Sequence, residues 1–178
     1  QALVNYDQSI ALDPEWVDAW IGRGVVKDLQ GKLPEALQCL QHAVRLSAEN
    51  PDAWYCLASV LARLERYDEA FAAYTKLNVL EPQNLDGWLD HADLHLEMKG
   101  AEAAVQKLQE AAQIHLLSAR FKYRLASYLI RAAQEQQGLL VLEEALAIDH
   151  AAHTQFMEHW PGAAQLPQVI HLIELYRK

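Results

Sequence analysis

Apolar positions along the chain follow two nested periods. Within segments they fall three and four residues apart, the spacing that lines one face of a helix. Between segments the pattern returns every 34 residues, beginning with Trp20, Trp54 and Trp88, and the next two steps reach Lys122 and Phe156. Four residues after each of the first four anchors stand Gly24, Ala58, Ala92 and Ala126, all small. Sixteen after stand Ala36, Ala70, Ala104 and Gly138, again all small. Twenty after come the large residues Leu40, Tyr74, Leu108 and Leu142, and 23 after come Ala43, Leu77, Ala111 and Ala145. Small columns let helices approach closely, and the large column fills the space beside them. A fixed period of this length marks a stacked repeat architecture.

Each period reads as two helices. The first runs from Glu15 to Leu29, where Gly31 supplies a C-terminal stop. Pro34 suits the first turn of the next helix, which continues to about Leu46. Asn50-Pro51-Asp52 opens the following pair, broken near Glu65-Arg66-Tyr67; Asn84 is an N-cap for the third pair, split at Lys99-Gly100-Ala101. The fourth begins near Ser118 and breaks between 134 and 138. No period-2 run of β-branched residues predicts a strand. The expected divisions are 1–14, the second helix of a truncated repeat; repeats at 15–50, 51–84 and 85–118; a degenerate repeat at 119–152; and a cap at 153–178. Trp160-Pro161-Gly162 and Pro167 interrupt the rhythm of the cap, which closes on an apolar helix through Val169, Leu172 and Tyr176.

Composition narrows the function classes. The 178 residues are 52% hydrophobic and 22% charged, a composition that supports a packed core rather than disorder. A formal charge of −9 disfavours nucleic acid, which demands clustered Lys and Arg, and disfavours a polybasic membrane patch. No apolar run is long enough for membrane insertion, and the first residues lack a signal-peptide pattern. Compartment stays open, with the cytoplasm slightly favoured, because an upstream signal can precede a chain that starts inside a repeat. Two cysteines form neither a disulfide framework nor a C-x-x-C site.

The spacing and residue types together resemble the tetratricopeptide repeat (TPR) family, whose signature places Trp, Leu-Gly or Leu-Ala, Tyr, Ala, an aromatic, Ala and Pro in 34 residues. The second repeat matches best, through Trp54, Leu57, Ala58, Ala70, Tyr74 and Pro82. The fourth departs most, with Lys122 for Trp, Gly138 for Ala and His150 for Pro. The resemblance implies an all-α fold: a right-handed solenoid of antiparallel helix pairs, the TPR superhelix, ended by a C-terminal capping helix pair. It also implies a non-catalytic scaffold whose first helices line a concave groove for a peptide or partner protein.

Carried over column by column, the groove residues are Asp18, Ile21, Val25 and Asp28 in the first repeat, and Asp52, Tyr55, Ser59 and Arg63 in the second. Asp86, Leu89, Asp93 and Glu97 follow in the third, and Arg120, Tyr123, Ser127 and Arg131 in the fourth. Tyr55 and Tyr123 suit ligand anchoring. The charges predict a polarised groove, acidic over the first three repeats and basic at Arg120, Arg124 and Arg131. The Lys and Asn residues of the family's chaperone-binding carboxylate clamp are replaced by Ile21, Val25, Cys56 and Ser59.

Two alternatives stand beside the groove. Leu3, Tyr6 and Ile10 on the uncovered first helix would serve a self-assembly module and a homodimer. His91 and His95, four apart on one helix, would share a metal. Against the metal, the register puts both histidines in columns that pack against neighbouring helices, and H-E-x-x-H is not met because Ala92 takes the glutamate position. His150, His153 and His159 gather where the repeats meet the cap and read as a half-exposed turn. Cys39 and Cys56 read as inert thiols, and no nucleophile elbow or phosphate loop occurs. Neither a catalytic residue nor a cofactor is implied.

Overall fold

A computed structural model describes residues 2–177. Among them the secondary structure is wholly helical, in the order α1 (Ala2–Leu12), α2 (Val17–Leu29), α3 (Leu33–Leu46), α4 (Pro51–Arg63), α5 (Tyr67–Leu80), α6 (Leu85–Lys99), α7 (Ala101–Ala111), α8 (Ala119–Arg131), α9 (Glu135–Ile148), α10 (His153–His159) and α11 (Pro167–Leu175). A short 3-10 helix, Pro161–Gln165, joins the last two. The chain divides into two compact units, Gln1–Gly87 and Trp88–Lys178. No described helix is long and apolar enough to cross a membrane.

In the first unit α1 packs on α2, α2 on α3, α3 on α4 and α4 on α5. The small columns make these approaches possible. A Cβ on Gly24 would lie 2.8 Å from the Leu40 side chain, so α2 and α3 meet where the chain carries no side chain. Tyr6 of α1 lies over Gly22 in the same way, where a Cβ would come within 2.3 Å of its ring. Ala36, Ala43, Ala58 and Ala70 are fully buried, as are Leu40 and Leu77.

The second unit repeats the arrangement. α8 packs on α7 and α9, and a Cβ on Gly138 would lie 2.5 Å from the Ile130 side chain and in tight contact with backbone, 3.0 Å from the Ile130 nitrogen and 3.1 Å from the Ala126 oxygen. Ala104, Leu108, Ala111, Leu142 and Ala145 are fully buried. The cap closes this unit. Phe156, Ala163 and Val169 join Tyr123, Ala126, Leu142, Ala145 and Leu146 in one core cluster, and Trp160, Leu166, Leu172 and Ile173 pack around it. The Tyr176 hydroxyl donates to the Glu143 carboxylate at 2.9 Å, fastening α11 to α9.

Local capping explains the helix boundaries. Asn50, Asn84 and Ser118 share one repeat column, and each side-chain oxygen accepts from a backbone N–H three residues on, at 2.9 to 3.2 Å. Three helices end in the same Schellman turn. Lys32 N–H donates to Lys27 O and Gly31 N–H to Asp28 O; Arg66 and Glu65 repeat the pair onto Leu61 and Ala62, and Gln134 and Ala133 onto Leu129 and Ile130. The residue in the left-handed region is Gly31 (φ 73°) in the first turn, but Glu65 (φ 58°) and Ala133 (φ 59°) in the others. α6 and α7 are joined differently, through Gly100 alone at φ 91°.

His91 belongs to the core: it is 1% exposed, and its ring centroid lies 5.0 Å from that of His95. Burial, reinforced by the Lys107 ammonium, pushes His91 down to about 3. Burial likewise lowers His95, to about 4, with the Lys99 and Lys107 ammonium groups adding to the effect. Both rings are therefore neutral at pH 7, whereas the unfolded chain takes up protons near pH 6.5.

Three outcomes follow for stability. Ala70→Leu overfills the α4–α5 seam and should cost about 1–3 kcal/mol in urea unfolding. Ala133→Gly removes a left-handed alanine and should gain about 0.5–1 kcal/mol, after the extra freedom of an unfolded glycine is discounted. Because folded His91 and His95 stay neutral while the unfolded chain protonates, stability should be full above pH 6.5 and fall as pH drops towards 4. His91→Leu should flatten that slope by up to about 1.4 kcal/mol per pH unit, read from urea midpoints at each pH.

Candidate functional site

The residues predicted to line a groove lie on α2, α4, α6 and α8. In the first unit, a cavity of about 170 Å³ opens between α2 and α4, lined by Val25, Asp28, Leu40, Tyr55, Cys56, Ser59 and Val60. It gathers four of the predicted residues: Val25 and Asp28 from α2, Tyr55 and Ser59 from α4. The helical period explains the convergence, since Val25 and Asp28 are three apart, Tyr55 and Ser59 four apart, and each pair projects from one face. Leu40 and Val60 form its apolar floor. Ile21 is half-buried outside the lining, and Asp18, Asp52 and Asp86 are exposed.

The charge at this cavity is internally matched. Arg63, at the end of α4, makes an ion pair with Asp28 of α2. On α2 the opposite polarity appears, with Arg23 donating to Asp7 of α1 at 2.7 Å and to the Cys39 sulfur at 3.3 Å. Cys56 sits within the cavity, where burial, followed by the Asp52 and Asp28 carboxylates, pushes its thiol up to about 11. The thiol stays protonated and unreactive at neutral pH.

In the second unit one carboxylate ties α6 to α8 and lies close to α10. Asp93 of α6 accepts from the Arg124 guanidinium and the Tyr128 hydroxyl of α8, and the His159 Nε2 of α10 lies 3.5 Å away. Burial raises the Tyr128 phenol, and the neighbouring Asp93 carboxylate raises it further. Beside this network a cavity of about 30 Å³ lies between α8 and α10, lined by Arg120, Tyr123, Arg124, Ala152, Gln155, Phe156 and His159. A third, apolar hollow of about 510 Å³ is lined by Leu139, Leu140 and Leu172 with Gln136, Glu143, Gln168 and His171.

Several predicted residues stand elsewhere. Leu89 is 1% exposed and Ser127 is fully buried, so neither presents a side chain to a ligand at the surface. Ser127 donates its hydroxyl to the Arg124 carbonyl of its own helix at 2.7 Å. Tyr123 is 3% exposed, with its hydroxyl donating to the Asp149 carbonyl at 2.8 Å, so only its ring borders the small cavity. Burial, with the Asp149 carboxylate, holds its phenol above the usual range. Glu97 and Arg131 are exposed and line none of these cavities. The expected charge polarity is also reduced, because Asp28 and Asp93 are each matched by an arginine.

The alternative sites are likewise located. Leu3, Tyr6 and Ile10 are half-buried on α1, with Tyr6 directed onto α2, while Val4 and Leu12 are large apolar residues exposed on that helix. Among the described residues, no group of three or more His, Cys, Asp or Glu side chains is placed to hold a metal. His150 and His153 serve the cap: His150 Nε2 is 2.9 Å from Ile173 O, and His153 Nδ1 is 2.6 Å from His150 O. The contribution of α10 to the small cavity was missed, although Phe156 occupies the anchor column one period after Lys122.

Comparison with known proteins agrees with this architecture. A TPR repeat model matches residues 29–65 and a tetratricopeptide repeat model matches residues 51–94. No curated protein matches the sequence. Among solved structures, MamA superposes with a TM-score of 0.73 at 16% identity, covering 85% of this chain and 89% of its own. YrrB, described as a TPR protein with an unusual peptide-binding site, gives 0.67 at 20% identity, with 88% and 80% covered. MamA from Desulfovibrio magneticus RS-1, from residue 41 to its end, gives 0.63 at 19% identity, with 91% and 97% covered. The 34-residue columns, the repeat matches and the shared all-helical fold converge: residues 29–94 match tetratricopeptide repeats, and the chain has a helical solenoid fold of that type.

Proposed function

We propose that the chain is a non-catalytic protein-interaction scaffold that seats a peptide segment of a partner between α2 and α4. The observation that carries this reading is the α2–α4 cavity, where Val25, Asp28, Tyr55 and Ser59 converge from two successive repeats. Its volume, about 170 Å³, is on the scale of one large side chain rather than a folded surface. Its chemistry suits a peptide: the apolar floor takes the body of a side chain, and Asp28 and Ser59 offer polar contacts at the rim. Asp28, which lines the cavity, is paired with Arg63, so its charge is matched. The peptide-binding site that YrrB is described as carrying gives the same fold a precedent for this kind of work.

Tyr55 should be the energetic centre, because an aromatic ring supplies large contact area at low entropy cost. A peptide library displayed on phage, selected on the wild-type protein, supplies ligands for titration calorimetry. Tyr55→Ala should weaken the selected peptides by about 1–3 kcal/mol while circular dichroism stays unchanged. Equal affinity for both proteins would remove the α2–α4 cavity as the binding site.

A further inference from the structure

Among the described residues that line the α2–α4 cavity, Asp28 alone is ionised at neutral pH. Taken by itself it marks the cavity as a seat for a lysine or arginine side chain. Arg63 changes that. It stands outside the lining, at the end of the neighbouring helix, and pairs with Asp28 from there. The Asp28 side chain is 21% exposed against 48% for Arg63, so the carboxylate sits at the cavity and the guanidinium on its solvent side. A lysine ammonium entering the cavity would meet a carboxylate already neutralised, and would lose its hydration for little return. An aliphatic side chain carries no such cost and is stabilised by burial against Val25, Leu40 and Val60. The Cys56 thiol, held protonated by burial, packs there as a small apolar group. Asp52, one turn before Cys56, is exposed and lies outside the lining. The volume of about 170 Å³ equals roughly five water molecules, room for the four heavy atoms of a leucine or methionine side chain.

We propose that Arg63 is the specificity-determining residue of this cavity: by neutralising Asp28 it makes the cavity select an aliphatic side chain of the partner peptide, leucine or methionine in size, and reject lysine and arginine. The proposal rests on the scaffold reading and names the side chain that the site takes. Arg63 acts through Asp28, not by touching the anchor. Losing the guanidinium therefore changes which anchor is selected without removing the apolar floor.

The test is a random peptide library on phage, selected in parallel on the wild-type protein and on Arg63→Gln, with circular dichroism confirming that the variant folds. Peptides from the wild type should share a leucine, isoleucine or methionine at one position, and those from Arg63→Gln should admit lysine or arginine there. A selected peptide is then synthesised with norleucine or lysine at that position, the same carbon chain without and with the ammonium group. Calorimetry on the wild type should favour the norleucine peptide about tenfold, and Arg63→Gln should erase or reverse that preference. Asp28→Asn added to Arg63→Gln should restore it, because the carboxylate that receives the ammonium is gone. A merely structural role for Arg63 predicts one common loss of affinity for both peptides. A lysine preference on the wild type, or a preference unchanged by Arg63→Gln, would overturn the proposal. If those peptides still lose affinity with Tyr55→Ala, the scaffold reading stands without it. Failure to select any peptide on the wild type would overturn both.

Discussion

Close approach of helix backbones within each pair is the constraint on which the rest of the structure depends. Gly138 shows it most directly: a methyl group there would press into the Ile130 side chain and lie in tight contact with the Ile130 nitrogen and the Ala126 oxygen. Gly24 shows the same against the Leu40 side chain. With the backbones this near, the partner columns have no freedom of size, and Ala36, Ala70 and Ala104 are all fully buried. The large column then fills the remaining volume. Fixing the pair fixes which face of each first helix is left over, and that face becomes the candidate binding surface.

Polar ties refine the surface that packing leaves exposed. Asp28 with Arg63 joins α2 to α4, and Asp93 joins α6 to α8 while lying near α10. The first pair is half exposed and contributes about 1 kcal/mol or less, so it orients side chains more than it stabilises the fold. The second is more enclosed and is shared with Tyr128, which makes it costly to break. Both ties consume charges that would otherwise face a ligand. The surface at these two ties is therefore less polarised than its residue types imply.

Much of this was legible in the sequence because it is carried by local chemistry and by period. Asn50, Asn84 and Ser118 announced three helix starts, and Gly31 announced one stop. Other features depend on neighbours that a column cannot show. Glu65 and Ala133 occupy the left-handed position that Gly31 fills, which no propensity reveals; tertiary packing of the hairpin overrides the local cost. Tyr123 shares a column with Tyr55, yet the cap residue Phe156 and the Asp149 carbonyl draw it into the core. Leu89 and Ser127 were assigned by column and lie buried as well. Pairing of Asp28 with Arg63 needs two helices in space, and a list of charges along the chain cannot supply that.

The central claim is that the leftover face of α2 and α4 receives a peptide. Hydrogen–deuterium exchange of the protein with and without a saturating selected peptide tests it most directly, because exchange reports ordering segment by segment. The account predicts added protection in residues 21–28 and 54–63, with α3 and α5 unchanged. Protection confined to α3 and α5 would place binding on the opposite faces of the helix pairs and contradict it.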